Sequence, residues 1–545
     1  MPSPDPQKPA PTSAATLRLL RISFVLAVVG FAWLRFSDNT VDNDLWGHVL
    51  YGQRDWMLGR VERVEHLSWT APGFAVINHE YLAEIAMGLV HRVGGGTGLW
   101  IYMLAMASVT VALALWAGRG PAGAQKWAAL MLFAASIDFI AVGFDVRPQL
   151  FTSLALVVEL ILLRRMANGR LAWGFLLPPL FALWGNLHGG VIAGLAVFFV
   201  LAAIESAHAI WPRSLALGWE ATRRPRRNLP FYWSLFLTSL LALLLNPWGY
   251  GLIRWNIGAI LRRRPQIDEW GPMTLSAAHA PYYLVAAISL LAWMFSRQPK
   301  KPWEGAVLLL LAAMGALHQR HVPLFGLANL VLSPRHINDA ARQIAPHCRG
   351  LVSAFARPVV QAGAAIALLA ASGVALGASF AAPKEHPFTM EVEKSDYPVT
   401  AVEFMQAHRL FGKTITFFDW GQENLWELPF NPVSFDGRFD TGYPPQVIAA
   451  HWDFYSGKAM RSEVNWSEAE VALLPTGSGG VKLLIRAGWR SVYRDPLATV
   501  LVPARGRHAA FMLGQPVQLR SDDALRGRLP FPDAPPLLGT TAAPR

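Results

Sequence analysis

The chain is poor in cysteine and in charge. Cys348 is the single cysteine among 545 residues. That excludes an intramolecular disulfide, a thiolate zinc cage and an iron–sulfur centre built from this chain. Charged residues make up 15%, against about 25% in a soluble globular chain. Hydrophobic residues reach 53% and the mean hydropathy is +0.30. A disordered, fibrous or ordinary cytosolic protein is thereby excluded, and a polytopic membrane protein with a water-exposed portion is indicated. The net charge of +12 does not indicate nucleic acid, because the excess sits in short loops between apolar runs. No internal repeat is visible either, which disfavours a transporter built from inverted halves.

Apolar runs long enough for a bilayer crossing need about 20 residues. Eleven candidates occur, at about 20–36, 98–117, 127–144, 148–163, 171–187, 189–211, 230–246, 281–296, 303–318, 321–334 and 359–382. The ninth and tenth are short and read also as one helix broken near Pro323. The first ends in Trp33, Leu34 and Arg35 without a small-residue cleavage site, so it reads as a retained helix. Lys and Arg collect in alternate loops, among them Arg164, Arg165, Arg223, Arg224, Lys300 and Lys301. The loop of residues 37–97 is instead acidic, with Asp38, Asp42, Asp44, Glu80 and Glu84. The positive-inside rule then puts that loop and the C-terminal part outside. The expected division is a disordered tail at 1–16, a membrane domain at 17–383 with its first outer loop at 37–97, an extracytoplasmic α/β domain at 384–510 and a Pro-rich tail at 511–545.

Polar residues at membrane depth are costly and therefore informative. They gather at the outer ends of the predicted helices. The first outer loop opens Asp42-Asn43-Asp44-Leu45-Trp46-Gly47-His48. Either carboxylate can act as a general base, or the pair can face a divalent ion such as Mg or Mn; a helix cap is the plainer alternative. His48 stands four residues after Asp44, on the same face of a helix. His79 precedes an amphipathic stretch at 80–93 that reads as an interfacial helix, with Glu80 and Glu84 on one of its faces. Arg147 follows Asp145 at a helix end, suited to an ion pair or to a phosphate. Asn186 and His188 flank a glycine turn, Trp248 follows Asn246-Pro247, and Arg262, Arg263 and Arg264 form an outer triplet suited to an anionic head group. His318, Gln319, Arg320 and His321 separate two apolar runs, too polar to stand there without a partner or an aqueous cavity.

Beyond Lys384 the apolar runs shorten. Strands are expected at 415–419, 433–436, 471–474, 491–494 and 499–502, and helices at 399–410, 444–456 and 479–487. That alternation predicts a small α/β domain with a partly parallel sheet. Asp419 and Asp436 each end a predicted strand; if the two are parallel neighbours, both acids lie at one sheet edge with Arg438 and Asp440, and Trp420 could stack on a sugar ring.

Together the strings Asp-x-Asp-Leu-Trp-x-His, Asn-His-Glu-x-Leu-Ala-Glu, Arg-Pro-Gln-x-Phe, Trp-x-Asn-x-His-Gly-Gly, Asn-Pro-Trp-Gly and Arg-His-x-Pro-Leu-Phe resemble a group of bacterial and archaeal membrane proteins similar to the GT-C superfamily of glycosyltransferases. The strings at 418–421 and 435–438 belong to the same likeness, which covers residues 20–505. Gly47 stands where the group often has a second Trp. The resemblance implies a GT-C-like helical membrane domain with an active site on the outer face. It implies a sugar donor linked to a polyprenyl phosphate or pyrophosphate, an essential acid in the first outer loop at Asp42 or Asp44, and a divalent metal in some members only. On this reading Asp44, Asp42, His48 and Glu80 are the catalytic candidates. Arg147, Arg320, Arg262, Arg263 and Arg264 would hold the donor phosphate, and His79, Asn186, His188, Trp248, His321, Trp420, Asp436 and Arg438 the substrates. Competing readings are a flippase for a lipid-linked glycan and a non-catalytic cell-envelope assembly protein.

Overall fold

A computed structural model describes residues 14–210, 225–262, 264–381, 384–512, 518–519 and 525–533. The arginines at 213, 223 and 224 and the triplet's middle member, Arg263, lie outside the described residues.

The membrane domain contains α1 (Ala14–Phe36), α2 (Leu45–Leu58), α3 (Tyr81–Gly118), α4 (Lys126–Ala141), α5 (Gln149–Ala167), α6 (Leu177–Leu187), α7 (Val191–Ile210), α8 (Pro225–Ala242), α9 (Tyr250–Leu261), α10 (Ala280–Phe295), α11 (Pro302–Leu317), α12 (Val322–Leu332), α13 (Pro334–Ile344), α14 (Arg349–Phe355) and α15 (Pro358–Ala378). A helix covers most of each apolar run. Four of them (α1, α3, α7 and α15) are long and apolar enough to cross a membrane by length and composition. The expected interfacial helix and the second span are continuous in α3, broken only at Gly95, whose φ of 56° only glycine adopts without strain. The ninth and tenth runs are separate helices, α11 and α12, joined by the turn that carries Gln319, Arg320 and His321. The bundle's core is packed from Ile140, Leu160, Phe198, Leu308 and Phe325, all fully buried.

The C-terminal domain, the expected outer domain, adds β1 (Glu391–Glu393), α16 (Val399–Ala407), β2 (Thr414–Thr416), α17 (Gly421–Glu427), α18 (Phe439–Gly442), α19 (Pro445–Tyr455), β3 (Val471–Pro475), α20 (Gly479–Arg486), β4 (Arg490–Arg494), β5 (Ala498–Val502), β6 (Gln518–Leu519) and β7 (Arg528–Pro530). Five strands form a mixed sheet in the order β2-β3-β5-β4-β6; the end pairs β2/β3 and β4/β6 are parallel and the inner pairs antiparallel. Alternation along β3 sends Ala472 and Leu474 towards Phe454 of α19 and Leu484 of α20, while Val471 and Leu473 pack with Met405 of α16. The sheet is therefore covered on both faces.

Within the segment expected as a loose tail, the described residues 518–519 and 528–530 form strands β6 and β7. β7 pairs antiparallel with β1, and Phe531 is buried, its ring centroid 4.7 Å from that of Trp46. An apolar ring and a strand pairing outweigh the Pro-rich composition there. Trp46 also meets Tyr397 and Trp426, so α2 is held between the bundle and the outer domain.

Candidate active site

The helix ends, the first outer loop and the outer domain enclose a cavity of about 960 Å³. Asp44, His48, His79, Glu80, Arg147, His188, Arg264, Arg320, His321 and Arg438 all line it, although they are spread over nearly 400 positions of sequence.

Asp42 and Asp44 take different parts. Asp42 spends both carboxylate oxygens on Arg147, one accepting from Nε at 2.7 Å and the other from Nη2, and its Oδ1 also accepts from the Asp44 amide at 3.0 Å. It does not line the cavity. Burial would raise the Asp42 pKa, but the Arg147 guanidinium outweighs it and holds the carboxyl below its ordinary range. Asp44 faces the cavity with Arg147 Nη2 at 3.3 Å. Burial pushes its carboxyl up to about 6, against the pull of Arg147. Asp145 is pushed up to about 7 by burial and by Asp42.

Glu80 ends the loop before α3 and is flanked by two imidazoles, His79 Nε2 at 3.3 Å and His188 Nε2 at 3.4 Å. Burial opposes its ionisation, yet those rings hold its pKa well below the carboxylate range. His188 Nδ1 accepts from the Gly190 amide at 3.1 Å, which leaves the proton of the neutral ring on Nε2, towards Glu80; burial pushes this imidazole down to about 3. Thr152, at 2.7 Å from the same Nδ1, also receives the indole N–H of Trp184 at 2.8 Å and so fixes the ring. His48 Nδ1 meets Glu84 Oε1 at 3.0 Å, and that pairing, against burial, lifts His48 to about 9.

A divalent ion bridging Asp42 and Asp44 does not fit this arrangement, because the Arg147 guanidinium fills the place between them. Donor atoms of His48, Glu80 and Glu84 lie within 4.8 Å of one another, a set whose chemistry does suit one. These residues would hold it, and it would add positive charge beside Asp44.

The arginines expected to hold phosphate divide in the same way. Arg320 lies 3.5 Å from Glu269 and Arg147 3.4 Å from the same carboxylate. Arg264 donates to Asp440 of α18 at 2.7 Å, joined by Arg262 at 3.0 Å, which is exposed and off the cavity wall. Arg438 is in the wall but pairs with Glu65 and with Asp436. The strand expected at 433–436 is reduced to a single parallel bridge between Val433 and Thr414; Asp419 lies in the short 3-10 turn that follows β2 and lines the cavity, whereas Asp436 is fully buried, accepting from Arg438 and from Tyr443 Oη at 2.9 Å.

Four expected substrate contacts stand away from the cavity. Asn186 ties helix ends together, donating to Ala182 O at 2.7 Å and Leu245 O at 2.8 Å. Trp248 donates to Val76 O, and Trp420 is buried with its indole N–H on Asp396 O, so its ring is not available for stacking. Asp436 is the fourth. The cavity instead presents Phe418, Phe439 and Trp452, and adds Glu269, Trp270 and Asp440. Asp268, Glu269 and Trp270 were visible as a charged loop beside the arginine triplet; nothing in the spacing pointed to Trp452.

No family model and no curated protein matches the chain. Among solved structures it is similar to the apo oligosaccharyltransferase of Archaeoglobus fulgidus, with a TM-score of 0.51 at 12% identity over 84% of this chain and 69% of that one. It is also similar to ArnT from Cupriavidus metallidurans bound to undecaprenyl phosphate, with a TM-score of 0.45 at 11% identity over 90% and 98%. The fold is thus similar to that of the archaeal oligosaccharyltransferase, and the long apolar helices mark a mostly helical integral membrane protein carrying a small C-terminal mixed sheet.

Proposed function

We propose that the protein is a membrane glycosyltransferase that moves a sugar from a polyprenyl-phosphate-linked donor to an acceptor hydroxyl or amide at the extracytoplasmic face. The observation that carries this reading is the convergence of Asp44, Glu80, Arg147, Arg264 and Arg320 on one cavity whose wall the C-terminal domain shares. A fold shared with an oligosaccharyltransferase supports it.

In the proposed reaction the acceptor oxygen or nitrogen attacks the anomeric carbon. The bond from that carbon to the phosphate oxygen breaks, and the phosphate leaves with the electron pair. Asp44 takes the acceptor's proton; its carboxylate faces the cavity, whereas that of Asp42 is held by Arg147. Arg147 thus orients the acidic pair, and Arg320 and Arg264 meet the negative charge that develops on the leaving phosphate. Glu80, kept ionised by its two histidines, is placed to bind sugar hydroxyls or the positive character of the anomeric centre.

The test is label transfer from a set of undecaprenyl-phosphate-linked sugars in membranes of a strain lacking the native protein. Transfer that depends on the wild-type chain and is lost in Asp44→Asn supports the reading. Equal transfer by both overturns the base assignment, and no transfer from any of these donors, with envelope assembly still complemented, favours a non-catalytic role.

A further inference from the structure

Trp270 stands against two arginines of the cavity. The guanidinium carbons of Arg264 and Arg320 each lie 4.5 Å from its ring centroid. Two like charges repel, and the π face of a tryptophan is the side chain best suited to offset that repulsion. The ring itself is anchored. The Trp270 carbonyl accepts from His318 Nδ1 at 2.7 Å, and the Gln319 amide donates to Gly271 O at 3.1 Å. The loop bearing Trp270 is thereby fastened to the turn that bears Arg320.

The two arginines also differ from Arg147 in what they have left to give. Arg147 is committed to Asp42 through two nitrogens. Arg264 gives Nη1 to Ala259 O and Nη2 to Asp440, and among the described residues Arg320 donates no hydrogen bond, with Glu269 at 3.5 Å. N–H groups thus remain directed at a cavity into which a tetrahedral anion fits, and planar guanidinium forks match its oxygens.

We propose that Trp270 is a positioning residue that holds Arg264 and Arg320 side by side as a single clamp for a phosphate group. The proposal rests on the glycosyl-transfer reading for its claim that this phosphate belongs to the lipid donor. Glu269 and Asp440 then keep the clamp neutral in the free protein and are displaced when the phosphate arrives.

The test is equilibrium binding to the full chain in lipid nanodiscs, with undecaprenyl phosphate as one probe and inorganic phosphate as the other. The expected result is binding of undecaprenyl phosphate, weakened about tenfold by Trp270→Leu and restored to within about threefold by Trp270→Phe, which keeps an aromatic face. Arg320→Lys, which keeps the charge and loses the planar stack, should weaken it similarly, and the donor KM should rise in Trp270→Leu while the acceptor KM stays put. Wild-type binding that is unchanged in both Trp270→Leu and Arg320→Lys overturns the clamp. Tryptophan-dependent binding of inorganic phosphate without binding of the lipid keeps the clamp and removes the lipid donor. Binding of neither probe by the wild type overturns both.

Discussion

Asp42 and Asp44 are two residues apart and chemically alike in the sequence, which favours Asp44 only through its place nearer His48 and deeper in the motif. The structure separates them by the direction of one arginine. Arg147, 105 positions from Asp42, turns that acid into an ion pair and leaves the neighbouring carboxylate in the cavity, half neutralised and raised to about 6. Asp44→Asn is expected to lower transfer by about 10²–10⁴-fold, the usual contribution of a positioned base, without changing the amount of folded protein in the membrane. A base must be ionised to act, so wild-type transfer should fall as pH drops through about 6 and level off above it; a rate profile from acid to neutral pH checks this. Asp436 shows the opposite outcome. The sequence placed it at the end of a strand beside Asp419, but 433–436 forms no strand, and burial with Arg438 and Tyr443 makes Asp436 part of the domain's interior. Asp436→Asn leaves a buried arginine short of its partner and should cost about 3–5 kcal/mol, seen as a lower unfolding midpoint of the full chain, with no selective effect on acceptor use.

Most elements were legible because hydrophobic periodicity sets them: the apolar runs are helices, and beyond Lys384 the strands expected at 415–419, 471–474, 491–494 and 499–502 and the helices expected at 399–410, 444–456 and 479–487 are there, whereas 433–436 forms no strand. What the sequence could not state is how elements press together. α2 and α3 meet so closely that a Cβ on Gly52 would collide with the backbone carbonyl of Glu84. The same approach brings His48 to Glu84. A Cβ on Gly47 would meet only the end of the Gln422 side chain of α17, which would have to turn aside to admit it. Gly52→Ala is therefore expected to destabilise by about 1–3 kcal/mol, as overpacking does, and to reduce transfer more than its thermal shift alone explains, because the helix it displaces carries Glu84 and begins just after Glu80. Parallel measurements of melting temperature and transfer rate separate the two effects.

At the scale of the whole molecule, charge bias in the loops gives one orientation, with residues 37–97 and the outer domain on the same side. Their mutual contact in the structure, through Trp46, Trp426 and Phe531, requires that same-side arrangement. Alkaline phosphatase fused after residue 390 should accordingly be active outside the cytoplasm, and activity of a cytoplasmic reporter at that point would overturn the orientation. The ordering of the chain near its C-terminal end was hidden by composition, because one phenylalanine in an aromatic cluster decides it. The cavity was hidden for a different reason. Its walls come from the first loop, from four inter-helix turns and from the outer domain, and long-range convergence leaves no local signature. In the proposed reaction a sugar linked to a lipid phosphate enters this cavity and places its anomeric carbon near Asp44. The direct measurement is electron cryomicroscopy of the protein in lipid nanodiscs with undecaprenyl phosphate. The expected result is a phosphate within hydrogen-bonding distance of Arg264 and Arg320, with the prenyl chain leaving sideways towards the bilayer. A phosphate bound elsewhere, with these arginines still paired to Asp440 and Glu269, would contradict it.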